Sequence, residues 1–423
     1  MPISITACPR AAVARAAGLA GAVAALALAG TAGISANASA SALAGAGPPG
    51  TPFAYVAESG SNDVVPFDAS RITPLGYPGK PIPVAGSPSA LLASANNQFV
   101  YVASTAGVTP IGTDYIKAGP LIAVPHGAAG LAITPDGKTL YVTTTAVSTS
   151  VNTVVPVNTV TRKAGKPLTF GPGPGAHPSP LVITPDGKTV YVASALGTVT
   201  PVRTATNTPG RPITFGPKDP NGTAHLAISP NGKTLYAFIS DPGKTVTTVT
   251  PISTATGKAG QPVPVGLGPL AIVFSPNGKT AYVASTGAAP KTQVRATVTP
   301  ISTARNTPGR PVDLGPTATT MSMTMVPNGT KFYVTATWAG RHNNTVFALS
   351  TAPTAIVKEY WPSYPRAVAV TPDSKLAFIM SADDGFFGSV QSIITATNQY
   401  YGGFGIGRGP VAITIVPRYP APA

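Results

Sequence analysis

"LAITPDGKTLYV" runs from Leu131 to Val142, and near-copies of it return along the 423-residue chain. They read LVITPDGKTVYV (181–192), LAISPNGKTLYA (226–237) and AIVFSPNGKTAYV (271–283), then the more divergent MTMVPNGTKFYV (323–334) and VAVTPDSKLAFI (368–379). Each copy is two short apolar runs around a turn. Asp or Asn suits the early position of a tight turn, and Gly takes the positive φ that such a hairpin demands. The β-branched and aromatic residues on either side favour extended strands. The phrase therefore predicts a hairpin, strand A followed by strand B.

The aromatic residue of strand B marks the repeat at Tyr55, Tyr101, Tyr141, Tyr191, Tyr236, Tyr282, Tyr333 and Phe378. Successive markers are 40 to 51 residues apart, the size of one four-stranded propeller blade. The rest of each unit supplies a strand C, TVTPI or a variant (198–202, 248–252, 297–301), a second turn such as STATGKAGQP (253–262), and a short strand D. The Pro within strand C belongs at a bulge or an outer position, where its missing N–H is not needed. FAYVAES (53–59) reads as a strand B with no strand A before it, and GPVAITIVP (409–417) as a strand A with no blade of its own. Pairing the two closes a ring and removes open sheet edges. The expected architecture is all-β, a single propeller of eight four-stranded blades. The weak second unit, where SANNQF (94–99) stands in place of the turn phrase, leaves seven as the alternative.

On ITPDGKTLYV, ITPDGKTVYVAS, FSPNGKTAYVAS and the half-repeat VTPISTATGKAGQPVPVG, the chain resembles the YVTN-type β-propeller repeat family over about 53–417. The resemblance implies the fold. For function it implies a choice among surface and cell-wall proteins, binding proteins, and lactonase-like or quinoprotein-like enzymes, because propeller shape does not select a chemistry.

Arg10 and Arg15, the apolar run AAGLAGAVAALALAG (16–30) and the small residues SANASASA (35–42) have the anatomy of a secretory signal peptide. The expected organisation is a signal peptide over 1–40, a flexible linker over 41–52, the propeller over 53–417 and a tail over 418–423. The localisation expected is secreted, with association to the cell wall. Cys8, the only cysteine, precedes the apolar run, so the exported protein has no disulfide and no thiol chemistry. The formal charge of +15 becomes +13 without Arg10 and Arg15.

Catalytic motifs are scarce. GKT occurs at Gly137, Gly187, Gly232 and Gly278, but a phosphate-binding loop needs an earlier Gly and a following helix, and here a strand follows. The single Asp of each PDG or PDS turn (Asp136, Asp186, Asp373) falls short of a calcium loop. There is no G-x-S-x-G. His126, His177, His225 and His342 each stand alone, without HxxxH spacing. No metal and no cofactor is expected. Glu58, Asp383 and Asp384 fall in B–C loops of blades that closure makes neighbours, and they form the candidate acidic pocket of an enzyme alternative.

The two faces of a propeller carry different turns. The A–B and C–D turns, which share one face, hold seventeen of the 28 basic residues, with Lys138, Lys188, Lys233 and Lys279 at one repeated position. Charge of this size on one face concerns partners. For an exported protein it points to an anionic wall polymer or an envelope protein; nucleic acid is not expected, since nucleic-acid motifs are missing. The opposite face carries the variable loops, with Trp338, Arg341, His342, Tyr360, Trp361, Tyr364, Arg366 and Phe386 as candidate recognition residues. The expectation is a monomeric, non-catalytic binding module. The alternative is a lactonase-like or quinoprotein-like enzyme with its site at the channel mouth.

Overall fold

The computed structural model describes residues 51–71, 79–144, 151–172, 180–219, 222–241, 245–289, 292–338, 344–383 and 387–417. The expected signal peptide, most of the linker and the tail lie outside them.

Nine antiparallel sheets form among the described residues, and eight of them are blades. The ninth is a two-residue hairpin in a loop of blade 6, Ala288–Ala289 with Thr292–Gln293. Blade 3 shows the pattern: strand A Ala128–Ile133, strand B Thr139–Thr144, strand C Val151–Asn158, and an outer strand in two pieces, Lys163–Ala164 and Leu168–Pro172. The degenerate second unit is a complete blade, Pro88–Ala93, Phe99–Ser104, Gly107–Gly112 and an outer strand, so the count is eight. In that unit Asn97 takes the positive φ (57°) that Gly137 takes at 70° in blade 3, and Ser374 does so at 62° in blade 8. The turn geometry persists where its glycine has been lost.

A blade is a thin sheet with two apolar faces, and neither can stay in water. Strand B is accordingly buried over nearly its whole length, as in Leu140–Thr144, and each sheet packs on the sheet before and the sheet after it. The core is eight clusters, one in every seam between neighbouring blades. The marker aromatic of strand B always enters the forward seam. Tyr141 packs with Leu181 and Val190 of blade 4, and Tyr236 with Phe274 and Val283 of blade 6. In blades 3 and 5 its hydroxyl then reaches the C–D turn of that next blade: Tyr141 Oη donates to Asn207 Oδ1 and Tyr236 Oη to Asn306 Oδ1, both at 2.6 Å. Burial pushes both phenols up to about 12. The YV phrase is thus an inter-blade bolt as well as a strand.

The strand-C prolines answer to the outer strand. Pro156, Pro201, Pro251 and Pro300 sit opposite the marker tyrosines, and each carbonyl accepts a 2.7 Å bond from a glycine N–H of strand D (Gly165, Gly210, Gly260, Gly309). Strand D breaks in two at that glycine. A broken edge is a poor template for pairing with another chain. Blades 7 and 8 have Ala348 and Ser392 at the proline position, and their outer strands run on as Thr354–Tyr360 and Gln399–Ile406, each interrupted only by a register shift.

The ring closes as expected. Pro410–Pro417 pairs antiparallel with Pro52–Glu58 and becomes strand A of blade 1, whose strand C is Asp63–Asp68. Phe378 fills the closing seam edge-on to Phe67, with ring centroids 5.3 Å apart. Glu58, only 1% exposed, clasps the same seam. Its Oε1 accepts the Gly407 N–H at 2.7 Å, and Ser61 Oγ lies 2.9 Å from both Glu58 Oε2 and Asp63 Oδ1. One hydroxyl proton cannot serve two carboxylates, so a protonated Glu58 suits the arrangement. Burial raises its carboxyl to about 7, against the opposing effect of the Ser61 and Gly407 bonds.

Two predictions follow from closure. Deleting 409–423 takes Ala412, Ile413 and Val416 out of the two seams of blade 1. At about 2–5 kcal/mol per large core side chain, the truncated protein is expected either to be insoluble or to melt roughly 10 °C lower; melting at the wild-type temperature would refute the shared blade. Glu58 binds its proton more tightly folded (about 7) than in an unfolded chain (4.5). Its contribution is therefore full below pH about 4.5 and declines as pH rises toward about 7, by at most about 3 kcal/mol. Glu58→Gln retains an acceptor for Gly407 and should flatten that part of the stability profile in urea titrations; a profile parallel to wild type would contradict the assignment.

Candidate functional site

The lysine-bearing turns are built without their lysine side chains. In blade 3, Asp136 Oδ1 accepts from Thr134 Oγ1 at 2.6 Å and from the backbone N–H of Lys138 at 3.0 Å. The Thr134 hydroxyl bond is the main reason the Asp136 carboxyl is held below its usual range. Blade 4 repeats this with Asp186, while blades 5 and 6 use Asn231 and Asn277 in the same geometry, each accepting the following lysine N–H at 3.0 Å. A threonine of the C–D turn then donates to the turn glycine's carbonyl: Thr159 to Gly137, Thr204 to Gly187, Thr254 to Gly232 and Thr303 to Gly278, all at 2.6 Å. The A–B and C–D turns are bolted together on one face.

Neighbouring turns also abut. A Cβ placed on Gly187 would lie 2.9 Å from Pro135 of the preceding blade, and one on Gly232 would lie 2.9 Å from Pro185. Gly278 and Gly329 face Pro230 and Pro276 in the same way. Lys138, Lys188, Lys233 and Lys279 therefore stand on consecutive, touching turns, and all four are exposed. Among the described residues, the one ion pair in this set is Lys188 with Asp186, at 4.0 Å between exposed groups, too loose and solvated to hold the side chain.

The divergent seventh unit moves its lysine one place along. Lys331 leaves the rim, donates to Asn398 Oδ1 at 2.8 Å and to the Thr395 carbonyl, and ties blade 7 to blade 8. Desolvation lowers its pKa. A cavity of about 740 Å³ opens beside it, lined by the turns of blades 7 and 8 (Asn328, Ser374, Lys375) and by Pro52 and Ser70 of blade 1.

The opposite face is less uniform. Trp361, at the start of the D–A connection into blade 8, is 70% exposed, and Arg366, the second residue of strand A of blade 8, is exposed. Tyr364, half-buried in that connection with φ +40°, accepts the Ala382 N–H through its carbonyl. Trp338, at the end of strand B of blade 7, is half-buried edge-on to Phe347, and its indole N–H donates to Thr345 Oγ1 at 3.3 Å. Tyr360 belongs to the blade 7–8 seam: it is buried, stacks near Tyr400 and donates to the Asn398 carbonyl at 3.2 Å. Arg341, His342, Phe386 and Asp384 lie outside the described residues, as does the side chain of Asp383, the last residue of its strand B. Glu58 is the acid of that trio whose setting is described, and both its oxygens are engaged in the closing seam.

His225 lies within strand A of blade 5, buried, stacked on Phe238 and bonded through Nε2 to Ser240 Oγ at 2.8 Å; burial lowers its pKa to about 4. Among the described residues, no group of three or more His, Cys, Asp or Glu is placed to hold a metal ion. His177 lies outside those residues.

No family model and no curated protein matches the sequence. Solved structures do match in fold. One is dihydro-heme d1 dehydrogenase NirN in complex with DHE, with a TM-score of 0.65 and 16% identity, covering 87% of this chain and 75% of that one. Another is Kuenenia stuttgartiensis hydrazine synthase, with a TM-score of 0.53 and 21% identity, covering 76% of this chain and 95% of that one. Identities this low establish a shared β-propeller architecture.

Proposed function

We propose that this chain is an exported propeller that binds an anionic polymer of the cell wall through the face formed by its A–B and C–D turns, and that it does so as a monomer without catalysis. The observation that carries the reading is the set Lys138, Lys188, Lys233 and Lys279. The turns are fully bonded by Asp or Asn, by Thr and by backbone groups, so these ammonium groups do no work in the fold. Held on abutting turns, they add up to one positive surface. Export rests on the arginines, apolar run and small residues of 1–42. Trp361 and Arg366, exposed on the opposite face, suit a second contact with a ligand or envelope protein.

An enzyme is the second reading, favoured by the dehydrogenase and synthase among the fold neighbours. Glu58 is engaged in ring closure, so such a site would draw on other residues of the loop face.

The test is co-sedimentation with isolated cell walls. Exposed charges are screened beyond about 8–10 Å at physiological salt, so wall binding is expected to fall steeply from low to high ionic strength. Replacing Lys138, Lys188, Lys233 and Lys279 with Gln should weaken it markedly and move the melting temperature little, since exposed charges contribute about 0–1 kcal/mol each. Equal binding by the wild type and this variant at low salt would overturn the reading.

A further inference from the structure

The basic face is not evenly basic. Taken together with the outer-strand residues through the break in strand D, the A–B and C–D turns of blades 3–6 hold twelve basic residues and two acidic ones, a net of +10. The same stretches of blades 7, 8, 1 and 2 hold six basic and four acidic residues, Lys358 and Glu359 of the unbroken outer strand among them, a net of +2. Three of the six are further muted. Arg71 pairs with Asp68 at 3.3 Å, Lys375 pairs with Asp373 at 3.4 Å, and Lys331 is tethered across its seam. At the repeated lysine position, blades 2 and 7 present Gln98 and Thr330, and in blade 1 that turn is replaced by the two strand ends, Pro52 and Pro417.

The contrast sharpens within the charged half. Blades 5 and 6 use Asn231 and Asn277 where blades 3 and 4 use Asp136 and Asp186, with the same hydrogen bonds. The amide builds the turn as well as the carboxylate does and leaves its lysine uncompensated. No acidic residue stands in any A–B or C–D turn of blades 5 and 6.

We propose that the polymer is a linear polyanion lying along the arc of blades 3 to 6, leaving the half-face of blades 7, 8, 1 and 2 uncovered. The proposal rests on the wall-polymer reading above and gives it a track. The argument is charge complementarity over a curved strip of touching turns. A chain with charge repeated along its backbone meets cation after cation, and each neutralised charge releases condensed counterions. A flat anionic surface would cover both halves, and most of its charge over the +2 half would find no cation to pair with.

Two variants that remove the same net charge separate the track from bulk electrostatics. The arc variant replaces Lys138, Lys188, Lys233 and Lys279 with Gln; the control variant replaces Arg71, Lys80, Lys117 and Lys375 with Gln. The probe is inorganic polyphosphate of long defined length, with tripolyphosphate and anionic phospholipid vesicles in parallel, at low salt. The arc variant is expected to lose at least about tenfold in polyphosphate affinity and the control less than about twofold. Adding the pair Asn231→Asp and Asn277→Asp to wild type should weaken binding with the turn intact. Equal losses in arc and control variants would overturn the track while leaving the wall-polymer reading standing. No loss in either would remove both. Tripolyphosphate binding as tight per phosphate as the long chain would overturn the track in favour of isolated anion sites. Vesicle binding tighter than polymer binding, lost equally in both variants, would overturn it in favour of a membrane surface.

Discussion

A propeller blade has two apolar faces and no way to bury either alone. Everything else here answers that constraint. It explains why strand B is buried from end to end, why the core is distributed over eight seams rather than collected in one place, and why the aromatic of each repeat enters the seam ahead of it. The phenol adds direction to what would otherwise be unspecific packing. Tyr141 and Tyr236 each end on an asparagine of the next blade, so rotation of one blade against another breaks a part-buried hydrogen bond.

With the seams carrying stability, the turns are left to carry the surface. A turn closed by Asp or Asn, a glycine-like φ and a threonine from the adjoining turn holds its shape whatever side chain follows. That separation lets Lys138 stand beside an acid, Lys279 beside an amide, and Gln98 replace lysine altogether, all on one geometry. The electrostatics of the face can change by single residues while the ring does not.

What could be read from the chain follows the same division. Local phrases gave the hairpins, and their period gave the blades, because strand, turn and aromatic lie within a dozen residues of one another. The pairing of 409–417 with 53–59 was legible because both segments match the repeat and neither has a partner nearby. Contacts between blades were not legible. Glu58 reads as an exposed loop acid until Gly407, 349 residues on, closes over it. Lys331 looks like one more rim lysine, and only its one-place shift hints at the bond to Asn398. Tyr360, grouped by sequence with the recognition aromatics, turns into a seam because strand D of blade 7 runs unbroken to it. The uneven charge of the face was present in the sequence, in the Asp-to-Asn alternation of the turns, and became visible once the turns had been placed around the ring.

Blade 1 differs from the other seven in having no covalent turn between its first two strands. Pro52 and Pro417 face each other across a ladder that joins opposite ends of the propeller. Every other A–B hairpin is local and forms from a few dozen atoms of neighbouring chain. This one requires the full ring to be assembled first, so its loop-closure entropy is the largest in the molecule. During synthesis, strand B of blade 1 emerges early and waits, with its inner edge and one sheet face uncovered, until the last strand arrives. The chain therefore passes through an open, sticky arc before it becomes a ring, and that interval, rather than the finished fold, is where a protein of this design is most exposed to aggregation and proteolysis.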